Sequence, residues 1–191
     1  MELDKILKKD LCISDPEIDR LYKNLILLHA ELRDYTSKKY NRINPFYEDL
    51  FDWKERGVFL FGENKNITLY NSTTVVGDVE IGKNTWVGPF TTLDGSGGLK
   101  IGENCSISAN VFIITHDTVK WALSGGVAPY EYAPVSIGDN TFIGIGSIIL
   151  KGISIGSGCV VAAGSVVTKN VNDGEVVAGN PANVINTKIK L

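Results

Sequence analysis

Two periodicities divide the chain. From Ile18 onward, apolar residues recur three and four apart through Leu21, Leu25, Leu28, Leu32 and Tyr35, forming one seam along an amphipathic helix. Asp15 followed by Pro16 supplies an N-cap and a preset first helical position, with Glu17 in the first turn, so the pattern predicts a helix over residues 15–39. His29 lies beside the seam and reads as a partly packed or solvated helical histidine. Asn44-Pro45 ends the segment, and FYEDLFDWKERG follows as an aromatic-rich connector, helical at best in part.

From about residue 69 the period becomes six. In hexads the chain reads VVGDVE, IGKNTW, VGPFTT, then IGENCS, ISANVF, IITHDT, and later IGDNTF, IGIGSI, ILKGIS, IGSGCV, VAAGSV, VTKNVN. The first position is aliphatic each time, the fifth is usually small, and Gly, Asn and Asp cluster between them. Three short extended segments and three turns close a triangular coil of roughly eighteen residues, and successive coils stack at the parallel-strand spacing of about 4.8 Å. The aliphatic residue fills the triangle. The fifth position must be small where the turn crowds the axis, and Gly and Asn accept the positive φ that such turns require. Roughly fourteen hexads make four to five coils, a prism about 20–25 Å tall. The predicted organisation is an N-terminal helical segment over 1–60, a parallel β-helix over 61–187, and a tail over 188–191.

Two interruptions break the repeat. Asp94-Gly95-Ser96-Gly97-Gly98 shifts the frame by two residues and reads as a small bulge at one corner. Residues 117–134 (DTVKWALSGGVAPYEYAP) leave the hexad phase unchanged, as expected of a loop thrown out from the coil wall. Its aromatics Trp121, Tyr130 and Tyr132 argue against disorder, and loops of that length are usually functional.

Composition narrows the function classes. A net charge of −3 leaves no basic stripe for nucleic acid or anionic lipid. The opening residues MELDKILKKDLCISD lack the features of a signal peptide, and no apolar run is long enough to span a membrane, so a cytoplasmic protein without membrane insertion is expected. Cys12, Cys105 and Cys159 have neither disulfide-framework nor metal spacing, and no metal is expected. Cys105 and Cys159 occupy the small fifth position of IGENCS and IGSGCV, which marks them as packing residues.

The hexads, a histidine just before an extruded loop, and the ending AAGSVVTKNV…VVAGNPANVI together resemble the hexapeptide-repeat acyltransferases, nearest their sugar O-acetyltransferase branch, which includes galactoside, maltose and polysaccharide-modifying acetyltransferases. The resemblance covers about residues 60–187. It implies a left-handed β-helix, a homotrimer with active sites between subunits, acetyl-CoA as co-substrate, and a sugar or surface-polysaccharide precursor as acceptor.

Acetyl transfer from a thioester to a hydroxyl needs a base for the hydroxyl proton and a donor for the oxyanion. His116 in IITHDT is the single histidine of the repeat region and is the expected base, by direct attack without an acyl-enzyme. Asp117 is a poor orienting partner, because adjacent residues of an extended strand point to opposite faces; the residues do not name a better one. By position in the family, Gly144, Ile145, Ala163, Gly164 and Thr168 would line the coenzyme groove, with Lys169 and Lys188 among the basic candidates for its phosphates. Family members commonly carry Lys or Arg after the GNPA-like turn, where this chain has Asn183. Trp121, Tyr130 and Tyr132 offer stacking faces to a sugar, and Asp94 is expected to reach the acceptor hydroxyls.

Other readings are weighed on the same residues. A γ-type carbonic anhydrase needs three zinc-binding histidines and the chain has two. A nucleotide-sugar pyrophosphorylase needs a further domain for which there is no room. N-acetylation of an amino sugar, nucleotide-linked or not, and a non-catalytic β-helix scaffold both stay open.

Overall fold

The computed structural model describes residues 13–186. The chain divides into two compact units between Asp52 and Trp53.

In the first unit, helix α1 runs Pro16–Tyr40. The Asp15 carboxylate accepts the backbone N–H of Glu17 at 2.8 Å and of Ile18 at 3.2 Å, satisfying two donors that a helix start leaves open. Asn41 closes the far end in the left-handed region, at φ 52°. A short helix, α2 (Phe46–Asp49), packs back on α1, with the Phe46 ring 5.1 Å from that of His29.

The second unit opens with α3 (Trp53–Phe61), part of the stretch read as a connector, and continues as a parallel β-helix. The first face carries Thr68–Leu69, Trp86–Val87, Ser106–Ile107, Phe142–Ile143, Val160–Val161 and Val176–Gly179, all parallel. The second takes the beginnings of Thr74–Ile81 and Thr92–Ile101, then Phe112–Ile113, Ile148–Ile149 and Val166–Val167. The third takes the far ends of those two long strands, then Val135–Ile137 and Ser154–Ile155, with Val171 bridged to Ile155. Six parallel strands on one face make the stack about one coil taller than the hexads predict. The extra length comes from Thr68–Leu69, where Asn64 and Asn66 take the positive-φ turn positions, and from Val176–Gly179, which follows Val160–Val161 out of hexad phase.

The inner position of each short strand is sealed: Leu69, Val87, Ile107, Ile143 and Val161 are all fully buried on the first face alone. The small fifth position does more than avoid the axis. Thr85 Oγ1 donates to the Gly102 carbonyl at 2.9 Å, Cys105 Sγ to Gly138 at 3.2 Å, Thr141 Oγ1 to Gly156 at 3.0 Å and Cys159 Sγ to Asn172 at 3.0 Å. On this column each coil thus uses a short donor to satisfy a backbone carbonyl of the next. Burial pushes both thiols above their ordinary pKa, so they stay protonated and donate. At an outer corner Asn66, Asn84, Asn104 and Asn140 all sit near φ 52–56°, and the first three hydrogen-bond in series, at 3.0 and 3.2 Å.

Both ends of the stack are covered. At the first coil, α3 approaches so closely that a Cβ on Gly57 would fall 2.2 Å from the Ile67 carbonyl oxygen. Arg56 on the same helix donates to the carbonyls of Tyr70 and Thr73. At the last coil, Ala182–Asn186 turns back antiparallel on Val176–Gly179.

Candidate active site at one corner of the coils

The corner between the second and third faces carries both interruptions. In strand register Thr92 lies beside Phe112 and Leu93 beside Ile113, so Asp94 starts its bulge where the following coil approaches His116. The bulge is visible as a register shift between Gly77 and Val79 on the neighbouring strand. Asp94 is 4% exposed. Its Oδ1 accepts the Ser96 N–H at 2.9 Å, its Oδ2 accepts the Thr115 N–H at 2.9 Å, and the same Oδ2 lies 2.6 Å from His116 Nδ1. Thr115 is itself buried, and its hydroxyl accepts the Gly97 N–H at 2.8 Å, which locks bulge and strand together.

Two opposing influences act on the Asp94 carboxyl. Burial pushes its pKa up, but hydrogen bonds from Ser96, the Thr115 N–H and the His116 ring outweigh burial and hold it far below the usual carboxylate range. An ionised carboxylate only accepts, so His116 Nδ1 carries the hydrogen and donates it. In the neutral ring the lone pair is then on Nε2, and the side chain is 38% exposed. Besides the acceptor role expected of it, Asp94 holds Ser96, the Thr115 N–H and His116. The reason is the buried position of the bulge, whose N–H groups need an acceptor.

His116–Asp117 leaves the coil as a short strand paired antiparallel with Glu131–Tyr132, and α4 (Val119–Leu123) sits between them. The loop at 117–134 is therefore a two-stranded ribbon with one helical turn. The Tyr132 ring lies 5.9 Å from that of His116, while Trp121 and Tyr130 form an edge-on pair at 5.7 Å. All three aromatics are exposed. Asp117 points away from His116, as its place on the strand requires, and pairs with Lys151 of the next coil at 3.2 Å. Lys151 also pairs with Glu131 at 3.3 Å, and Glu131 with Lys120 at 2.5 Å. The Asp117 pKa is lowered by the Val119 N–H and Lys151, and that of Glu131 by Lys120 and Lys151; that of Lys151 is raised by Asp117 and Glu131.

Comparison with known proteins gives a consistent picture. A family model described as the hexapeptide repeat of succinyl-transferase matches residues 78–114 and 134–169. The chain is 42% identical over 90 residues to protein CapG of Staphylococcus aureus, covering 47% of this chain and 52% of CapG. It spans about half the length of the curated relatives it matches. Among solved structures, a maltose O-acetyltransferase from Clostridium difficile 630 is 29% identical, with TM-score 0.52, over 87% of this chain and 89% of its own. AntD, an N-acyltransferase from Bacillus cereus solved with dTDP and 3-hydroxybutyryl-CoA, is 25% identical, with TM-score 0.56, over 64% of this chain and 69% of its own. Residues 78–114 and 134–169 thus carry hexapeptide repeats, and the solved neighbours that share them are acyl-transferring proteins.

On the hexapeptide-repeat coils, the residues expected at the coenzyme fall on two corners. Ile145, Ala163 and Gly164 share the corner between the first and second faces, linked where the Gly164 N–H donates to the Ile145 carbonyl at 2.8 Å. Gly164 has open space where a side chain would go, at φ +69°. Gly144 does not: a Cβ there would lie 2.5 Å from the Ala163 nitrogen, so the close approach it permits is between coils and it faces no groove. Thr168 and Lys169 are exposed on the other corner, in the same column as His116 and Lys151. Asn183 folds its amide back on the Pro181 carbonyl at 3.0 Å, and Lys188 lies outside the described residues. Residue-by-residue reading missed Asp94 as the partner of His116. Stacking the hexads with the two-residue shift included puts it beside Ile114, and that signal was available.

No helix among the described residues is long and apolar enough to cross a membrane.

Proposed function

We propose that this chain transfers an acetyl group from acetyl-CoA to a hydroxyl of a saccharide acceptor, with His116 as general base. The observation that carries the reading is His116 at the root of the loop, its Nδ1 held by an ionised Asp94 and its Nε2 left free toward solvent. The acceptor hydroxyl attacks the thioester carbonyl while Nε2 takes its proton. The tetrahedral intermediate collapses to ester and coenzyme thiolate, and the imidazolium returns the proton to the thiolate. Asp94 fixes the tautomer and stabilises the transient imidazolium. Ile145, Ala163, Gly164, Thr168 and Lys169 are the residues assigned to the coenzyme. The acyl-transferring neighbours support the donor class, since one is a maltose O-acetyltransferase and another was solved with an acyl-CoA.

For the acceptor, charge favours an uncharged saccharide. The two lysines beside His116, Lys120 and Lys151, are already engaged by Glu131 and Asp117, so a diphosphate-linked sugar would have to compete for them. Similarity to AntD supports the second reading, transfer to the amine of a nucleotide-linked amino sugar.

Assembly as a homotrimer with sites between subunits belongs to the same proposal, and the faces of the coil support it. The third face is polar outside, with Glu80 paired to Lys100 at 3.1 Å and Ser136 bonded to Ser154 at 3.1 Å. The other two faces and their shared corner expose Phe90, Phe112, Phe142 and Ile145 instead.

The test is acetyl-CoA turnover, read as released thiol, against neutral sugars, amino sugars and nucleotide-linked amino sugars. The expected product is an ester cleaved by mild alkali. An alkali-stable amide formed with amino sugars alone would replace the hydroxyl by an amine. An absence of acetyl-CoA binding would return the chain to a scaffold.

A further inference from the structure

The seam of α1 remains open. Ile18, Leu21, Leu25, Leu28 and Tyr35 are 42–55% exposed, and only Leu32 of the series is half-buried. The helix α2 lies against the flank that holds His29. A three-four alternation sustained along a helix gives a repeat of about 3.5 residues, the geometry that stays in register only with another helix wound against it. Ile18, Leu25 and Leu32 then form one row of knobs, and Leu21, Leu28 and Tyr35 the other.

The sequence of the seam is symmetric about its middle. Laid antiparallel on a second copy of itself, α1 sets Ile18 against Tyr35, Leu21 against Leu32, and Leu25 against Leu28. On the flank away from His29 the pairing then brings Glu17 to Lys38 and Asn24 to Glu31. Acidic Glu17 and Asp19 crowd the first turn and basic Lys38 and Lys39 the last, so the antiparallel pair joins opposite charges and opposed helix dipoles. Lys38 already holds Asp34 at 2.5 Å, and its ammonium has further donors for Glu17 of a second copy. A parallel pair would instead put acidic ends together and basic ends together.

We infer that α1 is a self-association helix that pairs antiparallel with α1 of a second copy of this chain through the Ile18–Tyr35 seam. The pair is two-fold symmetric and independent of contacts between coil faces, so it would join assemblies that the coils build separately.

Two measurements on the full chain test this. In a Cys12→Ser background, chains carrying Leu21→Cys and Leu32→Cys, one of them mass-tagged, are mixed and mildly oxidised. The expected result is a disulfide between position 21 of one chain and position 32 of the other, with no cross-link from either chain alone. Like positions in the antiparallel pair lie about 16 Å apart along the axis, too far for a disulfide. Cross-linking of each chain to itself would mean a parallel pair and overturn the inference. In sedimentation, Leu25→Glu/Leu28→Glu is expected to halve the assembled mass while the circular dichroism of the coils is kept, and Arg20→Glu on the outer face is expected to leave the mass unchanged. An unchanged mass in the seam variant, with no inter-chain disulfide in any mixture, would show that the seam is covered within its own chain.

Discussion

The two interruptions of the repeat differ in size and in what holds them. The short one, at 94–98, is drawn into the wall: Asp94 is 4% exposed and is held by Ser96, the Thr115 N–H and His116. The long one, at 117–134, is tied down by charged side chains and carries its apolar groups outward, with Leu123 85% and Val127 84% exposed. A regular coil has no spare groups, so departures from the repeat are where chemistry can be placed. The short departure fixes a side chain, and the long one presents a surface. Length is a poor guide to which matters more for the reacting atoms.

Substitutions can break that contrast in graded steps. His116→Ala should have the largest effect, lowering kcat by about 10²–10⁴-fold with little change in acetyl-CoA affinity, as read by steady-state kinetics. Asp94→Asn follows, at about 10–100-fold in kcat, because an amide no longer imposes the tautomer that frees Nε2. The same variant should lose about 1–3 kcal/mol in denaturant unfolding, since the Thr115 N–H is buried with the carboxylate as its acceptor. That difference depends on pH with a defined sign. The folded pKa of Asp94 lies below its unfolded value, so its stabilisation is complete above about pH 4 and is lost as pH falls through the folded value. Unfolding curves of wild type and Asp94→Asn should therefore converge on acidification. A constant gap would mean that the carboxylate's charge is not what holds the bulge.

The long loop should respond more mildly. Trp121→Ala is expected to raise the acceptor KM by up to about tenfold, with acetyl-CoA affinity and melting temperature nearly unchanged. Loss of assembly with an unchanged KM would make Trp121 an interface residue and erase its side of the contrast. Lys151→Ala should have the smallest effect, a slight fall in melting temperature that shrinks in high salt, because its ion pairs with Asp117 and Glu131 are half-exposed at the surface.

Much of this was legible in the residues because six-residue periodicity reports directly on a coil. The helix start at Asp15-Pro16, the in-phase loop and the packing of Cys105 and Cys159 all follow from local chemistry. The coil count fell short because asparagines replace glycine in the turn before the first strand and the last strand falls out of hexad phase. The contact of Asp94 with His116 is hidden by their distance along the chain, because they become neighbours only once the bulge is counted. Gly144 reads like its turn neighbours, and only the position of Ala163 reveals that it is a contact between coils. The destination of the α1 seam is not written in the helix's own turns, because a seam specifies the shape of its cover and not the chain that supplies it.

The two covered ends of the stack set a limit on growth. A ladder of parallel strands offers the same hydrogen-bonding edge after every coil, so nothing within the repeat itself says where to stop, and two bare ends would template one another into fibres. Here α3 lies against the first coil, with Gly57 against Ile67, and the reversed strand Ala182–Asn186 ends the parallel register of the first face at the other end. Chain length is thereby converted into a finite object, and the parts of the sequence that look least like the repeat are what keep the repeat from propagating between molecules.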